Sequence, residues 1–296
     1  MKGWFYKTLI AGSVKFGPWF FKLFAWFVAT GYFVFRPHRV RTGLNFYKAL
    51  FPNRRLPYHI WCTWKQFHDF TDVFLERAMI ASPSENATFS STGMEHLERA
   101  VKNRSGGVMM MSHAGNWDAA AHHLKRELPK IDLLLYMGKN QKEQIESFQK
   151  DDFTGAGIKV IAVDKEGGSP FDIVEGVKQL KSGGMVSMAG DVLWRPDQRS
   201  VPVSFLGYEA ALPETPYLLA LLSNVPLYVF FAWRTGKGCY HVSISEPIKI
   251  ESASRAHRRK AIEKTAQKYA DHLAENILQH PFQWYHFEPF LGKKIH

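Results

Sequence analysis

Residues 106–118 read GGVMMMSHAGNWD: an apolar run ends in a histidine, His113, and Asp118 follows five positions later. A neutral imidazole placed at the mouth of a cleft can take a proton from an alcohol or amine. A carboxylate behind it fixes the tautomer and stabilises the imidazolium that forms. The spacing alone says little, because two more of the 13 histidines match it, His122 with Glu127 and His241 with Glu246. Context separates the three. His122 and Glu127 fall in one expected helix, where positions five apart do not face each other. His241 and Glu246 fall along an expected strand, where an odd offset points side chains to opposite faces. Only His113 stands at the carboxyl end of a buried apolar strand, where α/β sheets hold their ligands. The Gly-Asn turn after it can fold Asp118 back toward the ring, and the helix start beyond offers free N–H groups.

Such a pair needs no covalent nucleophile if the other reactant is already activated, as a thioester is. The chain has no G-x-S-x-G elbow, no G-x-x-x-x-G-K-[ST] loop and no H-E-x-x-H. GAG at 155–157 lacks the third glycine of a dinucleotide fingerprint. Cys62 and Cys239 have no metal-type spacing, which argues against a zinc site or a disulfide framework and for a reducing cytoplasm.

The elements that must position His113 alternate along the chain. Strands are expected at 108–111, 131–136, 159–163, 185–189, 201–205, 227–233 and 240–244. Helices are expected at 118–127, 141–150, 172–181, 214–222 and 255–279, with a helical stretch over 43–80. The alternation predicts an α/β fold with a mainly parallel or mixed central sheet covered by helices. Residues 1–80 read as a helical arm and 81–296 as the α/β domain, packed together as one unit.

Charge and aromatic content single out the arm. Residues 1–68 hold eleven Lys/Arg, no Asp or Glu, and 20 of the 43 aromatics; the rest of the chain is neutral, with 27 basic and 27 acidic groups. Nucleic-acid surfaces are wet and polar, whereas 16–35 (FGPWFFKLFAWFVATGYFVF) carries one charge, Lys22. This favours a membrane partner over nucleic acid, with aromatic side chains at the interface and lysines snorkelling. Pro18 and Lys22 interrupt the run, so an interfacial helix is expected, a single span being the alternative.

SHAGNWD resembles the first motif of the lysophospholipid acyltransferase superfamily, and within it the bacterial lipid A late acyltransferases. KSGGMVSMAGD (181–191), VPVSFLGYEAALPETPYLLALLSNVPLYVFFAWR (201–234) and HPFQWYHFEPF (280–290) are similar to later blocks of that branch, in order. The resemblance implies a glycerolphosphate-acyltransferase-like fold. It also implies an enzyme at the cytoplasmic face of the inner membrane, using acyl carrier protein or coenzyme A thioesters as co-substrate and no other cofactor. On it, His113 is the general base and Asp118 its orienting carboxylate. Gly115, Asn116, Asp191 and Arg234 occupy motif positions and are expected to contact substrate, as are the basic residues Lys139 and Arg195 by their charge; no metal is expected. The branch more often has Glu where Asp118 stands, and often an Arg after the second strand, where this chain has Lys139 and Lys150. A lipid hydrolase using the same dyad and a non-enzymatic membrane-binding protein are the alternative readings.

Overall fold

A computed structural model describes residues 18–80, 87–139, 153–164, 170–195, 197–251 and 254–295. The first 17 residues of the arm, the helix expected at 141–150 and Lys150 lie outside the described residues.

Helices α1 (Pro18–Phe35), α2 (Pro37–Leu50) and α3 (Leu56–Ile80) form the arm. The single helical stretch expected over 43–80 is broken between Leu50 and Leu56, where Pro52 removes a backbone donor and cannot continue a helix. Ala25 and Ala29 are buried, and Phe33 meets Phe67 of α3 edge to face at 5.9 Å. The other face of α1 is apolar and open: Trp26, Phe27 and Phe35 are 44%, 62% and 81% exposed. Leu56, Ile60 and Trp61 of α3 are exposed as well. Among the described residues no helix is long and apolar enough to cross a membrane.

The α/β part runs β1 (Thr88–Thr92), α4 (Met94–Asn103), β2 (Gly107–Met111), α5 (Trp117–Glu127), β3 (Leu133–Lys139) and β4 (Lys159–Asp164). It continues through α6 (Pro170–Lys181), β5 (Met185–Ala189), β6 (Ser200–Phe205), β7 (Tyr208–Pro213), α7 (Thr215–Ser223), β8 (Leu227–Gly236), β9 (Cys239–Ile244) and α8 (Arg258–Gln279). Seven strands order as β1-β9-β8-β2-β5-β3-β4. All neighbours are parallel except β8 and β9, so the sheet is mixed with a parallel centre. Strands β6 and β7 form a separate antiparallel pair. β1 (TFSST) escapes the apolar-run criterion because it is a polar edge strand, largely exposed.

All five residues of β2 (GVMMM) are buried, as a central strand covered on both faces requires. Val108 and Met110 face the layer that includes α7 and α8, and Met109 and Met111 the layer of α4 and α5. Each such apolar side chain contributes about 1.5–3 kcal/mol on burial. This strand is therefore held firmly in register, and so is whatever follows its end.

Candidate active site

In the β2–β5 register Met111 lies opposite Ala189. Each strand is followed by one small residue and then a polar one: Ser112-His113 after β2, Gly190-Asp191 after β5. The shared offset brings the two side chains together. His113 Nδ1 lies 2.9 Å from Asp191 Oδ1, and the His113 backbone N–H donates to Asp191 Oδ2 at 2.8 Å. The indole N–H of Trp284 donates to the same oxygen at 2.9 Å. The carboxylate can only accept, so in the neutral ring the proton sits on Nδ1 and the lone pair on Nε2. Among the described residues nothing hydrogen-bonds Nε2, and 35% of the His113 side chain is exposed while that of Asp191 is fully enclosed.

The electrostatics follow. Burial alone would raise the Asp191 pKa, but the charge and hydrogen bond of His113, with His286 and the Trp284 donor, hold it at about 2. Burial pulls His113 down, while the charge and hydrogen bond of Asp191 raise it by more, so its pKa lies above the usual 6.5. His286 stacks on Trp284 at 4.9 Å, with Nε2 3.1 Å from the Asp191 carbonyl oxygen and Nδ1 3.0 Å from that of Glu288. Burial pushes the His286 pKa down.

The turn after His113 is clamped from two sides. Gly115 has φ +69°, and a Cβ there would collide with the Ala232 carbonyl of β8. Its N–H donates to the Gln283 carbonyl at 2.7 Å, and the Asn116 N–H to that of Ala232 at 2.8 Å. The Tyr285 N–H returns a bond to the His113 carbonyl at 2.7 Å. Asn116 caps α5, its Oδ1 accepting from the Ala119 N–H at 3.2 Å, while its Nδ2 is buried with no hydrogen-bond partner among the described residues.

Asp118 is buried in the first turn of α5. The ring-orienting hydrogen bond that the sequence assigns to it is made here by Asp191, because strand register decides which carboxylate reaches Nδ1. Arg234 ends up against the arm, its guanidinium 2.7 Å from Asp72 of α3. Arg195 pairs with exposed Asp197 at 3.1 Å. Lys139 closes β3, and its side chain lies outside the described residues. One wall beside the ring comes from Trp194, 6.4 Å from His113 between centroids, whose indole lies where a Cβ on Gly138 would be.

Trp284 and His286 are site neighbours that the sequence marks only as part of the block HPFQWYHFEPF, without assigning either a role. For Asp191 a signal exists: VMMMSH and VSMAGD carry their polar residue at the same offset from an apolar strand. It becomes decisive only once β2 and β5 are known to be neighbours.

The sequence matches the family model described as bacterial lipid A biosynthesis acyltransferase over residues 11–291. It is also similar to the phosphatidylinositol mannoside acyltransferases of two strains of Mycobacterium tuberculosis, H37Rv and CDC 1551. Each is 24% identical over 198 residues, which is 67% of this chain and 58% of the relative. The match thus spans well under two thirds of those relatives' length.

Proposed function

The chain belongs to the bacterial lipid A biosynthesis acyltransferase family, and on that premise we propose that it moves a fatty acyl chain from a thioester to a hydroxyl of a lipid or glycolipid. The observation that carries the reading is the His113–Asp191 pair, with Nδ1 bonded inward and Nε2 open. Nε2 takes the proton of the acceptor hydroxyl as its oxygen attacks the thioester carbonyl carbon. Asp191 stabilises the resulting imidazolium. Collapse of the tetrahedral intermediate breaks the C–S bond, and the departing thiolate takes the proton back from Nε2. General-base help of this kind contributes ~10²–10⁴-fold.

The developing oxyanion is assigned to Asn116 Nδ2, a buried donor with no partner among the described residues, in the turn that carries the base. The Gly115 and Asn116 amides are already bonded to carbonyls and serve the turn's shape. Asp118, buried in the first turn of α5, adds a second carboxylate beyond that turn. Arg195 and Arg234 are engaged with Asp197 and Asp72, so contact with acceptor phosphates or with the thioester carrier, acyl carrier protein or coenzyme A, would require them to exchange those partners. A lipid A precursor is the acceptor the family name favours. The open apolar face of α1 and α3, among basic residues such as Arg36, Arg54 and Arg55, suits an anionic membrane surface. The active site would then work at the cytoplasmic face of the inner membrane.

The test is transfer of labelled acyl chains from acyl carrier protein and from coenzyme A into membrane lipids, wild type beside His113→Ala. A labelled lipid that depends on His113 supports the reading. Label appearing only as free fatty acid would identify a hydrolase, and full activity of His113→Ala would remove the base assignment.

A further inference from the structure

The Asp191 carboxylate receives three hydrogen bonds, two from His113 and one from Trp284, 93 residues further along the chain. Oδ1 faces His113 Nδ1; Oδ2 accepts from the His113 backbone and from Trp284 Nε1–H. Trp284 is 1% exposed, and its ring is fixed by Phe46, Phe205 and Phe290 at 4.9, 5.7 and 5.1 Å. Its backbone is held too, by Gln66 of α3 on its carbonyl and by a bridge to Ala114. An indole N–H held this rigidly is an aimed donor.

Hydrogen bonds donated to a carboxylate favour its ionised form and lower its basicity. A carboxylate with fewer donors holds the imidazolium proton more tightly, which makes the histidine slower to return that proton to a leaving group. We propose that Trp284 is a positioning residue for the base: its indole N–H fixes the Asp191 carboxylate and limits how strongly that carboxylate retains the proton His113 must give back. The proposal rests on the general-base reading of His113. The other titratable groups facing Asp191 are His286, from the same segment as Trp284, and Tyr269 of α8, whose hydroxyl donates to the Met111 carbonyl at 2.9 Å.

The test is Trp284→Phe in the full chain, with two readouts. The first is NMR titration of the His113 imidazole, which needs no substrate. The second is the pH profile of kcat for acyl transfer. Loss of the donor should move the His113 midpoint and the acid limb of kcat to higher pH, with His286, which stacks on Trp284, titrated separately so that its own change is not read as that of His113. At the optimum kcat should fall by about tenfold, the scale of one lost charge-assisted hydrogen bond, with KM unchanged. Phe290→Leu removes packing from the same ring but leaves the N–H, and should lower stability without moving the His113 midpoint or the acid limb of kcat. An unmoved His113 midpoint in Trp284→Phe overturns the proposal, even if kcat falls. Should that variant not fold, the Trp284 indole proton of the unaltered protein gives the answer. It should shift with the His113 midpoint, and an indole resonance indifferent to that titration overturns the proposal. Absence of acyl transfer by wild type would instead remove the general-base reading and leave the imidazole titration standing.

Discussion

Replacing Asp191 by Asn keeps the shape of the side chain and reverses one hydrogen bond. The Oδ2 position receives two donors, the His113 N–H and the Trp284 indole N–H, so the amide oxygen of the new residue must settle there. Its NH2 group then faces His113 Nδ1. Two donors cannot share that contact, so the ring moves its proton to Nε2, the nitrogen that must accept from the acceptor hydroxyl. The wrong tautomer, together with loss of the charge behind the imidazolium, costs about 10³–10⁴ in kcat, or ~4–5.5 kcal/mol of transition-state stabilisation. The pH profile provides an independent check with a definite sign. Asp191 is the source of both influences that raise the His113 pKa, and burial is the one that lowers it. In Asp191→Asn only burial remains, so the midpoint falls and the acid limb of whatever activity survives moves to lower pH. Stability should change little, because both donors to Oδ2 keep a partner. The assay is labelled acyl transfer followed across pH, with Asp118→Asn measured in parallel. Asp118→Asn leaves the Nδ1 contact in place and should cost less. An Asp191→Asn protein that keeps a third of wild-type kcat, or one whose acid limb does not move, would refute this reasoning. If Asp118→Asn shows the larger loss and the shifted limb, the relay runs through Asp118.

Asn116→Asp keeps the oxygen that caps α5 and removes the buried donor. Melting should stay close to wild type while kcat drops about 10²–10³-fold, the usual loss for one oxyanion donor, and steady-state kinetics on the folded variant would show whether it does. Gly115→Ala asks a Cβ to occupy a left-handed position against the Ala232 carbonyl. Denaturant unfolding should report a loss of about 3 kcal/mol or more. Changing Trp26, Phe27 and Phe35 together to Ser should weaken sedimentation with anionic vesicles while transfer to a detergent-dispersed acceptor persists; unchanged vesicle binding would show that α1 is not the membrane face.

The alternation of strands and helices was legible because period-two and period-3.6 apolar patterns are local. β2 and β5 appear in the sequence within a residue of their true ends. β1 was not legible, since an exposed edge strand needs no apolar run. The candidate base, His113, stood out for the same local reason: it follows a strand with no polar residue in it. Its partner did not. Whether a histidine meets the carboxylate five residues on or the one 78 residues on depends on which strands lie side by side. That is set by the packing of the whole sheet and leaves no mark on the intervening residues. Trp284 is less visible still, one aromatic among many in FQWYHFEPF, distinguished only by where its N–H points.

The clamp formed by residues 283–285 on the His113 turn has a consequence for the order of events during synthesis. The strands that carry His113 and Asp191 can pair as soon as β5 has been made. Trp284 leaves the ribosome 93 residues after Asp191, roughly 5–20 s later at ordinary elongation rates. Until then the turn lacks its Gln283 and Tyr285 bonds, and the carboxylate lacks its third donor. A nascent chain can therefore possess a nearly finished sheet and an apolar arm while the surroundings of His113 and Asp191 are still incomplete. On the proposed reading, catalytic competence arrives as the last step of folding, when the C-terminal segment closes on the His113 turn.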